Sequence, residues 1–488
     1  MDKARALRLY GALFVIGLVI YGVFAWGRLG KQSGAPHFVY QADAWLHGSL
    51  SVTPPLPNDD WAVLETVIAD GKEIQGRRMV TKKVFRALDG TEYSTCLPGN
   101  NPRITSCQQK DAQVTRSVGW THHVSFPAFP AVLMIPSAAI GGRAANDVIP
   151  TVLFAAAILP LAMLLLRRLA DAGLSKRTVR DDLWFVGMLA FGTVMFVSSI
   201  QGKVWYTAHV IGVVLALIYA WASIEAKRPL VAGLALGAAA LTRTSMAFMF
   251  PLFLFEAWRM VARARADQVP PNASGSMNLE AARKSMLLAM RGPLIRFAIP
   301  IVAFAVAGMI YNQVRFGSLT EFGHTYLALG THDPVVQQNN IETWGLASTH
   351  YLSRNLAVAF ASVPDLLPRS PWIQISGHGL AIWFTTPALL LLLWPREKGP
   401  LHRALWLTVL FVALPSLLYM NTGWFQFGYR FSLDYIVFLV MLLAVGGRPL
   451  GRVMKALIIA GIIVNAFGAY TFDRKGEHYK GTATVVIQ

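Results

Sequence analysis

The sequence predicts an all-α polytopic membrane protein of about eleven transmembrane helices, with two long water-exposed loops, the first carrying a small β-hairpin. Three observations lead there. Of 488 residues, 54 % are hydrophobic and only 14 % are charged, against about 25 % charged in soluble domains. Mean hydropathy is +0.45. The apolar residues also gather into runs of spanning length, separated by connections rich in arginine and lysine. A soluble globular enzyme and a disordered chain are excluded on composition alone.

The first run, 9–26, follows Lys3, Arg5 and Arg8. No small-residue cleavage site follows it, so it reads as a first transmembrane helix with its N-terminus in the cytoplasm. Further runs lie at 148–166, 183–200, 206–224, 230–241, 245–258, 294–314, 379–394, 404–420, 429–445 and 456–472. The pair flanking Arg243 is shorter than the ~20 residues a span usually needs, so those two helices are expected to cross incompletely. The stretch 126–142 carries Pro127, Pro130 and Pro136 and reads as a juxtamembrane or re-entrant helix.

With eleven spans, the basic connections around Arg167–Arg180, Lys227–Arg228, Arg259–Arg265, Arg396–Arg403 and Arg448–Lys455 all fall on one side, the cytoplasmic one. The C-terminus is then outside. The formal charge of +18 thus reports topology, and no nucleic-acid partner is expected. Residues 1–488 form a single transmembrane domain, with a first extracytoplasmic loop at 27–125, a second at 316–378 and a cytoplasmic linker at 259–293. No internal repeat argues for an inverted-repeat transporter.

Loops this long are often functional. In the first, strand-like residues flank the turn Leu88-Asp89-Gly90-Thr91, a hairpin signal. Cys96 and Cys107 share this loop on the oxidising side, where a disulfide would contribute about 2–3 kcal/mol; two free thiols are the alternative.

Charged residues near a bilayer are costly and mark function. Asp43 follows the first span, with Tyr40 and His47 on the same helical face. A carboxylate there can accept a proton from a substrate hydroxyl; a plain helix-surface carboxylate is the alternative. Arg243, Arg430, Lys203 and Arg315 all map to the outer face, where convergent cations suit a phosphate. Snorkelling to lipid head groups is the competing role, and Arg430 has Asp434 one turn on as a partner. His122, His123, His324 and Tyr326 lie on the outer loops as substrate-binding candidates, while His209 sits inside a span as a packing residue and Glu256 pairs with Arg259. No spacing makes a metal site, so a divalent metal is left open and no cofactor is indicated. Walker A, G-x-S-x-G and H-E-x-x-H motifs are missing, which argues against ATP-driven transport, serine hydrolysis and zinc proteolysis.

The chain resembles the polytopic GT-C glycosyltransferases, in the branch of the family 39 protein mannosyltransferases and the lipid A aminoarabinose transferases. The resemblance rests on residues 38–50, on SFPAFPAVLMIP at 125–136, GLALGAAALTRTSMAFMFP at 233–251, YNQVRFGSLTEFGHTY at 311–326 and GWFQFGYRFSLDYIVFL at 423–439. It implies a GT-C-like fold and a polyprenyl-phosphate sugar donor presented at the outer face of the cytoplasmic membrane. It implies inverting transfer to an acceptor hydroxyl on a glycan, lipid or protein, with an aspartate in the first outer loop as base. That role carries over to Asp43, and donor-phosphate binding to Arg243, Arg430, Lys203 and Arg315. The family often shows a paired-acid motif. Here Asp43 stands alone between alanines, and the pair Asp59-Asp60 lies farther along, so the base is Asp43 or one of that pair. A lipid-linked sugar flippase or exporter, and a non-catalytic subunit of envelope assembly, are the rival readings.

Overall fold

A computed structural model of the chain describes residues 3–53, 60–79, 82, 84–95, 113–266, 279–327 and 340–480. Helix α1 (Lys3–Leu29) is followed by the short α2 (His37–Leu46). A five-stranded sheet comes next: β1 (Trp61–Ala69), β2 (Lys72–Met79), β3 (Val84–Ala87), β4 (Glu92–Ser94) and β5 (Val114–Val124). Its order is β4-β3-β2-β1-β5, and every pairing is antiparallel. The expected hairpin is present as β3–β4 around residues 88–91. It is one corner of a larger sheet whose other strands were not expected. Residues 96–112 lie outside the described set, and with them Cys96, Cys107 and their expected disulfide.

Helices then dominate. They are α3 (Phe129–Gly141), α4 (Val148–Asp171), α5 (Val179–Phe191), α6 (Met195–Ser198), α7 (Val204–Ser223), α8 (Pro229–Ala240), α9 (Pro251–Ala266) and α10 (Leu279–Phe316). After the second loop come α11 (Leu352–Phe360), a two-stranded ribbon β6 (Asp365–Leu366) and β7 (Ile373–Gln374), then α12 (Ile382–Thr385), α13 (Pro400–Leu417), α14 (Ile436–Val445) and α15 (Arg452–Thr471).

Among the described residues seven helices are long and apolar enough to cross a membrane. The other four expected spans are short or interrupted, each with a local cause. Run 183–200 breaks after α5 at Gly192, and run 379–394 breaks at Pro387, where a 3-10 segment (Pro387–Leu393) takes over. Run 230–241 is the 12-residue α8, and run 429–445 starts as a 3-10 segment (Arg430–Asp434) before α14. The region 259–293 is also less of a linker than expected, because α9 reaches Ala266 and α10 starts at Leu279. The 13-residue α3 agrees with the short proline-containing helix expected at 126–142.

Close helix packing rests on small residues. A Cβ on Gly17 of α1 would meet Leu159 Cδ1 at 3.0 Å and Ala156 Cα at 3.1 Å on α4. Gly233 of α8 lets the Phe297 carbonyl of α10 come so near that no side chain fits. The largest buried apolar cluster unites α4, α5, α7, α8 and α14. Glu256 and Arg259 form the expected pair, with Nε to Oε1 at 2.8 Å, inside this packed region.

Candidate functional site

Where the sheet meets the helices lies a cavity of about 550 Å³. Its charged and hydrogen-bonding wall includes Asp60, Arg243, His324, Tyr419, Asn421 and Arg430, and its aromatic wall includes Phe126, Trp205, Phe322, Trp424 and Phe431.

Each charged group is delivered by a break in regular structure. Asp60 immediately precedes β1, and Ser125 immediately follows β5. Trp61 pairs with Val124 across the two strands, so Asp60 and Ser125 emerge together at the cavity, and the Ser125 hydroxyl donates to the Asp60 carbonyl at 3.5 Å. Trp61 is buried and stacked on His37 of α2 at 4.6 Å, which ties the strand to the membrane-proximal helix. Arg243 sits in the extended link (φ −146°, ψ 117°) between α8 and the 3-10 segment Thr244–Met249. The freed carbonyl of Leu241 there accepts from Phe129 N of α3 at 2.9 Å, so the helix end is satisfied rather than orphaned.

Arg430 opens the 3-10 segment that precedes α14. The Arg430–Asp434 pair offered as an alternative by the sequence does not form, and the geometry explains it. At 3.0 residues per turn, positions four apart diverge by about 120°, whereas an α-helix would bring them within about 40°. Asp434 turns instead to Arg243, with Oδ1 2.9 Å from Nε and Oδ2 3.0 Å from Nη2. Arg430 is held by carbonyls: Nη1 donates to those of Gly423 and Phe425. Gln426 fixes this loop, accepting from Arg430 N at 2.9 Å and donating to the carbonyls of His378 and Thr422. The ring of Trp424 packs against His378 at 4.8 Å.

Asp60 lies within electrostatic reach of both Arg430 and Tyr419. The Tyr419 phenol lines the cavity as a hydrogen-bond donor. Burial pushes His324 down to about 4, with Arg243 acting in the same direction, so its imidazole is neutral.

Of the residues expected from sequence, Arg243, Arg430, His324 and, from the alternative acidic pair, Asp60 line this cavity. The others are placed elsewhere. Asp43 is buried in α2, with Oδ2 3.1 Å from Arg143 Nε and Oδ1 3.6 Å from His47 Nδ1; it forms no part of the cavity wall. Tyr40 packs near Trp61 at 6.4 Å. Lys203 pairs with Asp473 at 2.8 Å, because the chain after α15 returns beside the start of α7. Arg315 is buried under the sheet, donating to Val124 O at 2.8 Å and lying over the Tyr311 ring at 3.9 Å. His122 faces Val63 across β1–β5. His123 is buried with Nδ1 3.0 Å from Leu50 O, and burial pushes it down to about 4. Tyr326 stacks on Phe316 at 5.5 Å. Asp59 lies outside the described residues. Among the described residues no group of three His, Cys, Asp or Glu side chains is arranged to hold a metal ion.

Asp434, Tyr419, Asn421, Trp205 and Trp424 were not expected at a site. Single polar or aromatic residues at the ends of apolar runs carry no sequence signal that separates them from interfacial residues. Asp434 is legible in the sequence only as an alternative partner for Arg430.

Fold and site together define a polytopic helical membrane protein with a charged, aromatic-walled cavity beneath a loop-borne β-sheet. No protein-family model matches the chain. No curated protein sequence matches it either. Among solved structures it is similar to the oligosaccharyltransferase of Archaeoglobus fulgidus in its apo form, at 12 % identity and a TM-score of 0.39, covering 97 % of this chain and 56 % of that one. It is also similar to archaeal oligosaccharyltransferase AglB from Archaeoglobus fulgidus in complex with an inhibitory peptide and a dolichol-phosphate, at 11 % identity, a TM-score of 0.41 and the same 97 % and 56 % coverage. The chain spans just over half the length of these proteins.

Proposed function

We propose that the cavity is the active site of a membrane glycosyltransferase of the GT-C type, which moves a sugar from a polyprenyl phosphate to an acceptor hydroxyl at the outer face of the cytoplasmic membrane. The observation that carries this reading is the convergence, in one cavity, of a carboxylate (Asp60), two guanidinium groups (Arg243, Arg430) and a set of aromatic rings. A phosphate leaving group calls for the cations, a hydroxyl nucleophile for the carboxylate, and a sugar ring for aromatic faces.

In this reading Asp60, rather than Asp43, is the general base. The acceptor O–H proton passes to the Asp60 carboxylate as the oxygen bonds to the anomeric carbon. The bond from that carbon to the phosphate oxygen breaks on the opposite side, so the anomeric centre inverts. General-base assistance of this kind contributes roughly 10²–10⁴-fold. The departing phosphate gains negative charge, which preorganised donors stabilise by several kcal/mol. Arg243 and Arg430 are the donors on the cavity wall.

The test is sugar transfer in isolated membranes, with labelled polyprenyl-phosphate sugars as donors. Wild type should label a new product, and Asp60→Asn at equal abundance should not. Transfer by Asp60→Asn at the wild-type rate would remove Asp60 as the base.

A further inference from the structure

Behind the cavity wall, Asp434 is 1 % exposed, and four donors converge on its carboxylate. Oδ1 accepts from Arg243 Nε at 2.9 Å and from His209 Nδ1 at 3.0 Å. Oδ2 accepts from Arg243 Nη2 at 3.0 Å and from Ser245 Oγ at 2.6 Å. An ionised carboxylate offers about four lone-pair sites, so this one is saturated and has none left for a substrate. Because a carboxylate only accepts, His209 must carry its hydrogen on Nδ1. Its Nε2 is buried with no bonded partner among the described residues. The histidine expected to be a packing residue is therefore part of a polar network one residue from the cavity-lining Ala208.

The two cavity arginines consequently differ. Arg243 is gripped along its Nε–Nη2 edge by a full negative charge, while Nη1 is bonded by no described residue. Arg430 is gripped by neutral carbonyls, so its charge is not cancelled by a bonded carboxylate.

Resting on the transferase reading above, we infer that Asp434 is a positioning residue: it holds Arg243 in one orientation and cancels its charge, so that the phosphate meets one fixed, electrically balanced donor and one cation with no carboxylate bonded to it. His209 and Ser245 fill the remaining acceptor sites and keep the carboxylate from rotating. The arrangement suits a leaving group that must be stabilised as its C–O bond breaks and then released. Two uncompensated guanidinium groups would hold the phosphate product more tightly and slow its departure. A balanced pair supplies direction without that excess attraction.

The test uses the purified full chain in lipid nanodiscs, with a short-chain polyprenyl phosphate as the probe. Asp434→Asn should bind the probe as tightly as wild type or up to about tenfold more tightly, while kcat falls at least about tenfold; a merely structural residue would not separate the two. Wild-type turnover in Asp434→Asn, or weaker probe binding in a variant that melts like wild type, would overturn the inference. Should Asp434→Asn fold poorly, the double variant Arg243→Gln/Asp434→Asn decides. It should regain melting temperature relative to Asp434→Asn, since the guanidinium stripped of its carboxylate is then removed as well, and additive losses would overturn the pairing. If wild type itself binds no polyprenyl phosphate, the transferase reading falls, and the role of Asp434 falls with it even where the melting cycle shows the pair coupled.

Discussion

Asp60 and Ser125 lie side by side at the end of one antiparallel ladder, 65 positions apart in sequence, with the Ser125 hydroxyl directed at the Asp60 carbonyl. The ladder makes Asp60 a fixture of the cavity, whereas Asp43, nearer the first helix, is committed to Arg143.

The two aspartates should therefore respond differently. Asp60→Asn is expected to lower transfer about 10²–10⁴-fold with little change in melting temperature. Asp43→Asn should leave turnover per folded molecule within about twofold and lower the melting temperature slightly, since an ion pair with a half-exposed arginine contributes only about 0–1 kcal/mol. Measuring kcat and thermal melts on both variants checks this; a reversed pattern would restore Asp43 as the base.

Arg430 should matter for donor binding, and lysine should not replace it. Its fork donates to carbonyls while its charge faces the cavity, and an ammonium cannot reproduce that planar geometry. Arg430→Gln and Arg430→Lys are both expected to raise the donor KM about 10-fold or more, equivalent to at least about 1.4 kcal/mol. A wild-type KM in the lysine variant would show that charge alone suffices.

Lys203, expected from sequence to hold phosphate, is bonded to Asp473 and absent from the cavity wall. Lys203→Ala should keep donor KM within about twofold of wild type, a ratio that corresponds to less than about 0.5 kcal/mol. A tenfold rise in KM would return it to the site.

Acid should destabilise the folded protein through His123 and His324. Burial pushes each down to about 4, from about 6.5 when unfolded. Between these values the unfolded chain binds more protons than the folded one, so stability rises with pH across this window. The contribution is fully present above about 6.5 and is lost as pH falls through about 4. Melting temperatures at pH 7 and pH 4.5 should differ less in His123→Gln/His324→Gln than in wild type; an unchanged difference would locate the acid sensitivity elsewhere.

The β1–β2 hairpin turns through Asp70 (φ 49°) and Gly71 (φ 75°). Gly71→Val should cost about 1–3 kcal/mol, because a β-branched residue is strained at positive φ. Partial proteolysis of the loop region would report it, and an unchanged cleavage pattern would count against the turn.

Much of the fold was legible because hydrocarbon imposes a coarse rule: a span needs a long apolar run. Runs 9–26 and 148–166 became α1 and α4 on that basis. The same rule is blind to breaks within a run, since hydropathy does not register Gly192 or Pro387 as an interruption. The sheet was under-read. Asp70-Gly71 directly after the apolar run 61–69 is a hairpin signal beside the one at Leu88–Thr91, but the polar residues of β2 mask its second strand.

For the site, sequence pointed to Arg243 and Arg430, because a cation at the edge of an apolar run is costly without a role, to His324 only through its place on an outer loop, and to Asp60 only as one of an alternative acidic pair. Sequence alone also determined the membrane class, through composition that no soluble core requires. Only tertiary structure decided which charges meet. Asp60 reaches the cavity through a strand pairing closed across a long loop, Lys203 is drawn away by the chain after α15, and Asp434 faces Arg243 because a 3-10 turn rotates it from Arg430. Local hydropathy depends on neighbours in sequence, whereas an ion pair depends on backbone geometry and on segments hundreds of residues apart.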